Sequence, residues 1–451
     1  MTTSRPGGND RLRQAMHAAG LSNKALARAV RQLAARHGDH LATDHTTVAR
    51  WLTGTNPRES TLDYILEAIS ARLGTPLDAE DLGFLVAERV AADLGLRYLP
   101  SLHDSIGVLA ELTRLDATQH PTISASTYSA DAVHALCLDW LFGESTNDLN
   151  ENHKPVRATD VDELRMMTAT FDHLDRRGAG EEHRQLAVRY LHDIVVPKLG
   201  RAATDPAGRD FLQATAILCE LIGWMAFDTL HHATAQRYFS QAIRFAEAAG
   251  DQGYAAFAVA SMADQALFVG QPTQALRLAQ VAGDRSGRTG HPVTTTEAHV
   301  LRARAYATLG EVKSCSRALT RAERTFNQLD GTDHPTWAAH WTEYVLSSHA
   351  GTCWTDLGQV DEASRQIGFA WRAAQHQPRR LVYNTVQLGR IALLRHDVEE
   401  ACHYLGLAEE NNNDLLSERS AWHVTRLRDT LTTDHGGHTA VRQLRATTPQ
   451  P

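Results

Sequence analysis

Apolar residues recur along this chain at spacings of three and four, the period of helices with one buried face. Four such stripes fill the first 75 residues. Leu12, Ala15, Met16 and Ala19 form the first, with Asp10 placed to cap it and Gly20 to stop it. The second opens at Leu21-Ser22-Asn23 and turns Leu26, Ala27, Val30 and Leu33 inward. Val48, Trp51 and Leu52 make the third, with Thr43 or Asp44 as its cap and Gly54 where a left-handed residue ends a helix. The fourth carries Leu62, Ile65, Leu66, Ile69 and Leu73, is opened by Ser60 and Asp63 in the manner of a capping box, and runs to Gly74 and Pro76. The third stripe leaves His45, Thr46, Thr47 and Arg50 on its outer, leading face. A short helix with a dry back and a polar, partly basic front has the build needed to reach base edges in a major groove.

Helical spacing continues through the rest of the chain. Met1–Gly8 is a polar tail. Residues 83–158 read as a helical connector, with Ile106, Leu109, Leu112 and Leu115 on one helix and Val133, Leu136, Cys137, Trp140 and Leu141 on another. Ser145 to Pro155 is polar, closed by proline and the best linker candidate. From 159 to about 435 helix follows helix, with 436–451 as a tail. No segment alternates long enough for a strand. The acids Asp160, Asp162 and Glu163 suit a helix N-terminus. The charged stretch Phe171–Gly180 reads as a solvated helix end, with a docking element as the alternative.

The second half repeats. Gly223/Ala235/Phe239/Ala242 aligns with Ala263/Ala275/Ala279/Ala282, Ala303/Cys315/Leu319/Ala322, Gly351/Ala363/Ile367/Ala370 and Gly389/Ala401/Leu405/Ala408. In every set the offsets are 12, 4 and 3, and the sets step by 40, 40, 48 and 38 residues. Small residues on two antiparallel helices let them approach, and a bulky one fills a seam. Cys315 fits as a small core residue. Turns Leu309–Glu311 and Leu357–Gln359 separate the two helices of a pair.

Two resemblances follow. LSNKALARAV, HTTVARWLTG and TLDYILEAI resemble the XRE-type, lambda-repressor-like helix-turn-helix family, although Leu26 and Val48 stand 22 apart, about twice the family's spacing. The extra residues, around RQLAARHGDHLA, lengthen helix 2 or its turn. The repeats resemble tetratricopeptide (TPR) units over roughly 210–410, although those are commonly about 34 residues long and carry an early aromatic mostly absent here. The combination resembles actinobacterial XRE/TPR regulators of development and antibiotic production, and more distantly the peptide-pheromone receptors of Gram-positive bacteria. It implies an all-α chain: a helix-turn-helix domain over 1–82, then a TPR-like α-solenoid over 159–435 that binds a signal peptide or small molecule and dimerises.

In the DNA-binding reading, Asn23 and Lys24 meet phosphates at the head of helix 2. His45, Thr46, Thr47 and Arg50 meet bases or adjacent phosphates, and Asn56 and Arg58 hold backbone. TPR geometry puts the inner wall on the first helix of each pair, beside the small residue. That gives Glu220, Trp224, Phe257, Asp264, Glu297, Arg304, Ser348, Thr352, Tyr383, Gln387 and Arg390, with Arg304 or Arg390 placed to take a carboxylate.

Charge sharpens this picture. Residues 1–73 hold ten Arg or Lys and six Asp or Glu, a balance of +4, against −8 for the whole chain and therefore −12 for the remainder. A basic head on an acidic body is expected where one part meets phosphates. Five scattered cysteines with no CxxC suit a reducing cytoplasm and argue against both a disulfide framework and a zinc site. Only four of the 45 basic residues are Lys, which suits a GC-rich bacterial genome. Phe211–Phe227 is the most apolar window, but it carries Gln213 and Glu220 and reads as a buried helix, so no membrane partner is expected. His231-His232 lacks metal spacing and reads as a solvated helix start, and the acid pairs Glu181-Glu182 and Glu399-Glu400 read as exposed faces. No catalytic motif stands in context. The expectation is a cytoplasmic, homodimeric transcriptional regulator acting on a double-stranded DNA operator, with no metal, cofactor or catalytic residue. The alternative is a TPR protein-interaction adaptor without specific DNA binding.

Overall fold

Each of the first four stripes is a helix: α1 (Asp10–Ala18), α2 (Asn23–Arg36), α3 (His45–Leu52) and α4 (Glu59–Leu73). The computed structural model describes residues 9–36, 39, 41–53, 55, 57, 59–75, 77, 81–83, 93–143, 145–149, 155–177, 180–202, 205–329 and 335–447, with backbone alone at 10, 59, 60, 63, 336 and 445–447. The chain divides into two units, Met1–Ala91 and Ala92–Pro451. Leu12, Met16, Leu26, Ala27, Val30, Val48, Trp51, Ile65, Ile69 and Leu82 share the core of the first. Burial of Trp51 and its neighbours, rather than helix propensity, holds helices this short.

Several local expectations change. Asn9, not Asp10, caps α1: its side-chain oxygen accepts the Leu12 N–H at 3.0 Å, because the helix begins at Asp10 itself. Asp44 caps α3, whereas Thr43 is buried and its carbonyl accepts Arg31 Nη1 at 3.0 Å. The Thr55 N–H bonds the Arg50 carbonyl at 3.0 Å, the outer bond of a Schellman end; Gly54 lies outside the described residues. The extra residues before α3 are shared between a longer α2, ending at Arg36, and a turn that Tyr64 pins by donating to Asp39 at 2.6 Å. The capping box expected at Ser60 and Asp63 falls on side chains outside the described set.

The second unit begins with α5 (Leu102–Ala117), α6 (Pro121–Ser124) and α7 (Ala130–Phe142), so the stretch expected as a connector is part of the body. The reason is polar as well as apolar. Arg184 and Asp116 form a buried bidentate pair at 2.6 and 2.9 Å, and Tyr238 donates to Asp116 at 2.8 Å. Trp140 donates to Glu247 at 2.7 Å. The expected linker is pinned where it is described, with Thr146 N–H on the Pro100 carbonyl at 2.9 Å and Arg244 on the Thr146 carbonyl at 3.0 Å. A polar segment has backbone groups to satisfy, and at Thr146 the body satisfies them.

Beyond α8 (Ala158–Arg176), α9 (Glu181–Tyr190) runs through a π-helical turn, Leu191–Val195, into α10 (Val196–Leu199). Helix pairs follow: α11 (Pro206–Asp228) with α12 (His232–Ala248), α13 (Gln252–Phe268) with α14 (Pro272–Thr289), and α15 (Pro292–Thr308) with α16 (Val312–Phe326). The remaining pairs are α17 (Glu343–Asp356) with α18 (Val360–Ala373) and α19 (Pro378–Leu394) with α20 (Val398–Asn412); α21 (Glu418–Asp434) then packs on α19 and α20, and α22 (Thr439–Thr447) on α20. The fold is thus an all-helical array of packed pairs, with no strand among the described residues.

The repeat positions are the packing positions. A Cβ on Gly223 would lie 2.6 Å from the Phe239 ring, and one on Gly351 would lie 2.6 Å from Ile367, so the bulky residue of a set lies over its own pair's glycine rather than in the next seam. Gly389 departs, facing Leu427 of α21 at 2.6 Å. The turn inside each pair needs one left-handed residue. Gly270, Gly310 and Gly358 supply it freely, while Leu230 (φ 58°) and His396 (φ 63°) adopt it against their Cβ.

α11 is long and apolar enough to cross a membrane by composition, but 72% of its apolar window is buried inside the protein. The five cysteines are free and buried, Cys315 fully so. The charged stretch Phe171–Gly180 is solvated only in part: His173, Arg176 and Arg177 are exposed, while Arg379 of α19 grips buried Asp175 at 2.8 and 3.0 Å. Arg419 of α21 likewise holds Asp228 of α11 at 3.2 Å, so the last helices of the array close against the first. His232 is no solvated start either. Its ring packs on Phe227 and Phe268, and burial lowers its pKa to about 4. Glu181 is half-buried, held by Arg184 and Gln185.

Candidate functional site

Two surfaces carry the candidate residues. On the first unit, α3 turns Val48 and Trp51 into the core and leaves His45, Thr46 and Arg50 exposed. This follows from the 3.6-residue period, which puts positions 48 and 51 on one side and 46 and 50 on the other. Thr47 is half-buried and committed: its N–H and hydroxyl both donate to Asp44, each at 2.8 Å. Those two bonds, backbone first, hold the Asp44 carboxyl below its usual range. The leading edge therefore offers an imidazole, a hydroxyl and a guanidinium beside one fixed carboxylate. At the head of α2, Lys24 is exposed and Asn23 half-buried, and Arg28 and Arg31 are exposed further along. Asn56 and Arg58 lie outside the described residues.

In the second unit the first helices of successive pairs are joined side to side by polar contacts. Glu220 on α11 accepts from Ser261 of α13 at 2.8 Å and from Trp224. Asp264 of α13 accepts from Arg304 of α15 at 2.8 Å. Ser348 and Thr352 of α17 meet Asn384 and Tyr383 of α19 at 2.6 and 3.1 Å. Arg390 holds Gln387 at 2.9 Å and Asp356 at 2.7 Å. Tyr383 in turn lies edge-on to His423 of α21, ring centroids 5.0 Å apart.

The eleven expected wall residues lie on the first helices of the pairs, in two roles. Glu220, Phe257, Ser348, Thr352 and Gln387 are buried and form the seams between helices. Trp224, Asp264, Glu297, Arg304, Tyr383 and Arg390 remain partly accessible. Arg304 and Arg390 were expected to be open to a carboxylate. Both already hold one, so an incoming acid would have to displace Asp264 or Asp356.

The structure adds residues the spacing did not single out. The 48-residue step comes from an insertion between α16 and α17 whose single 3-10 turn (Thr336–Ala338) brings aromatics back onto α13. Trp337 meets Phe257 at 4.7 Å and Tyr254 at 4.9 Å; His340 meets Phe257 at 6.4 Å; Trp341 stacks with His349 at 5.9 Å. The anomalous step was the signal that something is built there.

Electrostatically the wall is unusual. Burial pushes the Glu297 carboxyl up to about 8 and Glu220 up to about 7. Burial first, then nearby guanidiniums, drives His340 and His423 down to about 3 and His349 well below its usual value. Near neutral pH the histidines are uncharged, Glu297 is mostly protonated, and arginines carry the fixed charge.

A protein-family profile described as the SP15 N-terminal domain matches residues 12–85, a stretch that lies within the first unit. No curated protein matches the chain.

Proposed function

We propose that this chain is a sequence-specific DNA-binding transcriptional regulator of the XRE/TPR kind. In this reading α1–α4 form a lambda-repressor-like helix-turn-helix domain, and α3 is its recognition helix. The paired-helix array is a TPR-like body that receives a peptide or small-molecule signal, with a quorum signal as one such case, and holds two copies together. Half-sites on the operator would then mirror the dimer. The working compartment is the bacterial cytoplasm, and the reading contains no catalytic step, metal or cofactor.

The observation that carries it is the division of α3. Val48 and Trp51 anchor the helix while His45, Thr46 and Arg50 stay exposed at its front, with Lys24 exposed at the head of α2. A guanidinium there can pair with guanine O6 and N7, and exposed lysines and arginines favour phosphates. A gel shift on the protein's own upstream region tests this. A salt-sensitive shift that survives excess unrelated DNA supports the regulator; no shift at any salt supports the adaptor, in which both units bind only proteins.

A further inference from the structure

Arg380, near the start of α19, is a guanidinium of this wall that the helical array leaves without an acid. Arg304 holds Asp264, Arg390 holds Asp356, Arg379 holds Asp175, and Arg419 holds Asp228. Among the described residues Arg380 makes no hydrogen bond and has no carboxylate within ion-pair distance. The groups facing it are Glu297 of α15, Tyr344 of α17, Arg176 of α8 and Arg419 of α21, and its charge reaches His340 and His349. Two of those neighbours are cations. Glu297, the acid that faces it, is held mostly protonated at neutral pH by burial and by Asp264. A guanidinium does not shed its proton to escape such a setting, so its charge stays and calls for an anion.

What lies beside it is flat and apolar. His340 meets both Phe257 and Trp341, Trp337 covers Phe257 and Tyr254, and Trp341 stacks on His349. The buried Trp341 indole N–H is turned toward the Glu297 carboxyl. A cation without an ion pair and an aromatic wall built by the insertion point to one ligand chemistry.

We propose that Arg380 anchors the carboxylate of a ligand whose aromatic body packs against Trp337 and His340, which Phe257 backs from beneath. This rests on the reading of the inner wall as the signal-receiving surface, and it replaces Arg304 and Arg390 as the anchors. The carboxylate has two possible sources, a small aromatic acid or the C-terminus of a peptide ending in an aromatic residue.

Calorimetric titration of the full chain, without DNA, tests it. The probes are N-acetyl-L-phenylalanine and Ala-Ala-Phe, each against its C-terminal amide. The free acids are expected to bind at least about tenfold more tightly than the amides, the size of a charge-assisted hydrogen bond. Arg380→Gln is expected to abolish that preference. A tighter tripeptide than N-acetyl-phenylalanine would assign the source to a peptide terminus, and the reverse order to a small acid. The parent protein alone can overturn the proposal: equal binding of acid and amide, or no binding of either acid, does so. An acid preference that survives Arg380→Gln does so too. Failure here with an intact DNA shift would remove the anchor and leave the regulator standing. A failed shift with an intact acid preference would do the opposite.

Discussion

In the first unit the fully buried side chains are almost all apolar, Thr43 and Thr61 being the polar ones among the described residues, and the described charges face outward. In the second unit Arg184, Arg237, Arg244, Asp116, Asp175, Asp228 and Glu220 are all buried. The contrast separates two ways of using polarity. A small core held by Trp51 and Ile65 keeps its described charged groups at the surface. The array uses its buried charges as cross-links between helices far apart in sequence, and Arg380 is a wall charge left without such a link. Buried pairs of this sort add specificity more reliably than stability.

The largest expected effect breaks the contrast at the apolar core. Trp51→Ala removes a buried indole from the small unit and should cost about 3–5 kcal/mol. Two-probe thermal melts should then show the first unit's transition lost or lowered and the array's unchanged. A single joint shift would mean the units do not melt separately.

The next effect is on the outward charges. Arg50→Ala should weaken operator binding by about 1–3 kcal/mol, read by anisotropy at fixed salt, with melting unchanged. Parent-like affinity would reject the assignment of α3.

A smaller effect sharpens the description of the array. Glu297 has a raised folded pKa of about 8, so the folded state holds a proton that the unfolded chain releases at the ordinary glutamate value of 4.5. Its contribution is therefore fully present below the unfolded value and lost as pH rises toward about 8. Above about pH 7 the histidines lowered by burial are neutral in both states and add no slope. Denaturant titrations should show stability falling from about pH 7 to 8, and Glu297→Gln should flatten that fall. An unchanged slope would show that Glu297 is not the proton held.

The smallest effect is local. His396 is exposed and holds φ 63° where three other repeats place glycine. His396→Gly should relieve strain and stabilise the array by up to about 1 kcal/mol. A loss instead would mean that the side chain makes up for its backbone.

Much of the fold was readable from periodicity, because helix packing repeats on short sequence distances. Val48 and Trp51 fell where the core needed them, and the offset linking Gly223 to Phe239 marked a real contact. What could not be read were pairings between distant residues. Asp264 and Arg304 are 40 residues apart, and Asp175 and Arg379 are 204 apart. Nothing in local spacing shows that a guanidinium already has its acid, so Arg304 looked open and Arg380 went unnoticed. The linker was misjudged for a similar reason, since its polarity is spent on Arg244 and the backbone at Pro100. The anomalous 48-residue step did carry information, but an insertion length does not reveal that it brings Trp337 and Trp341 to the wall.

Methylation interference at guanine N7 on the protein's own upstream DNA tests most directly whether α3 enters a major groove. The expected result is that methylating a few guanines blocks binding by the parent chain, and that Arg50→Ala becomes indifferent to one of them. Interference from phosphate modification alone, or the same guanine pattern for parent and variant, would contradict it.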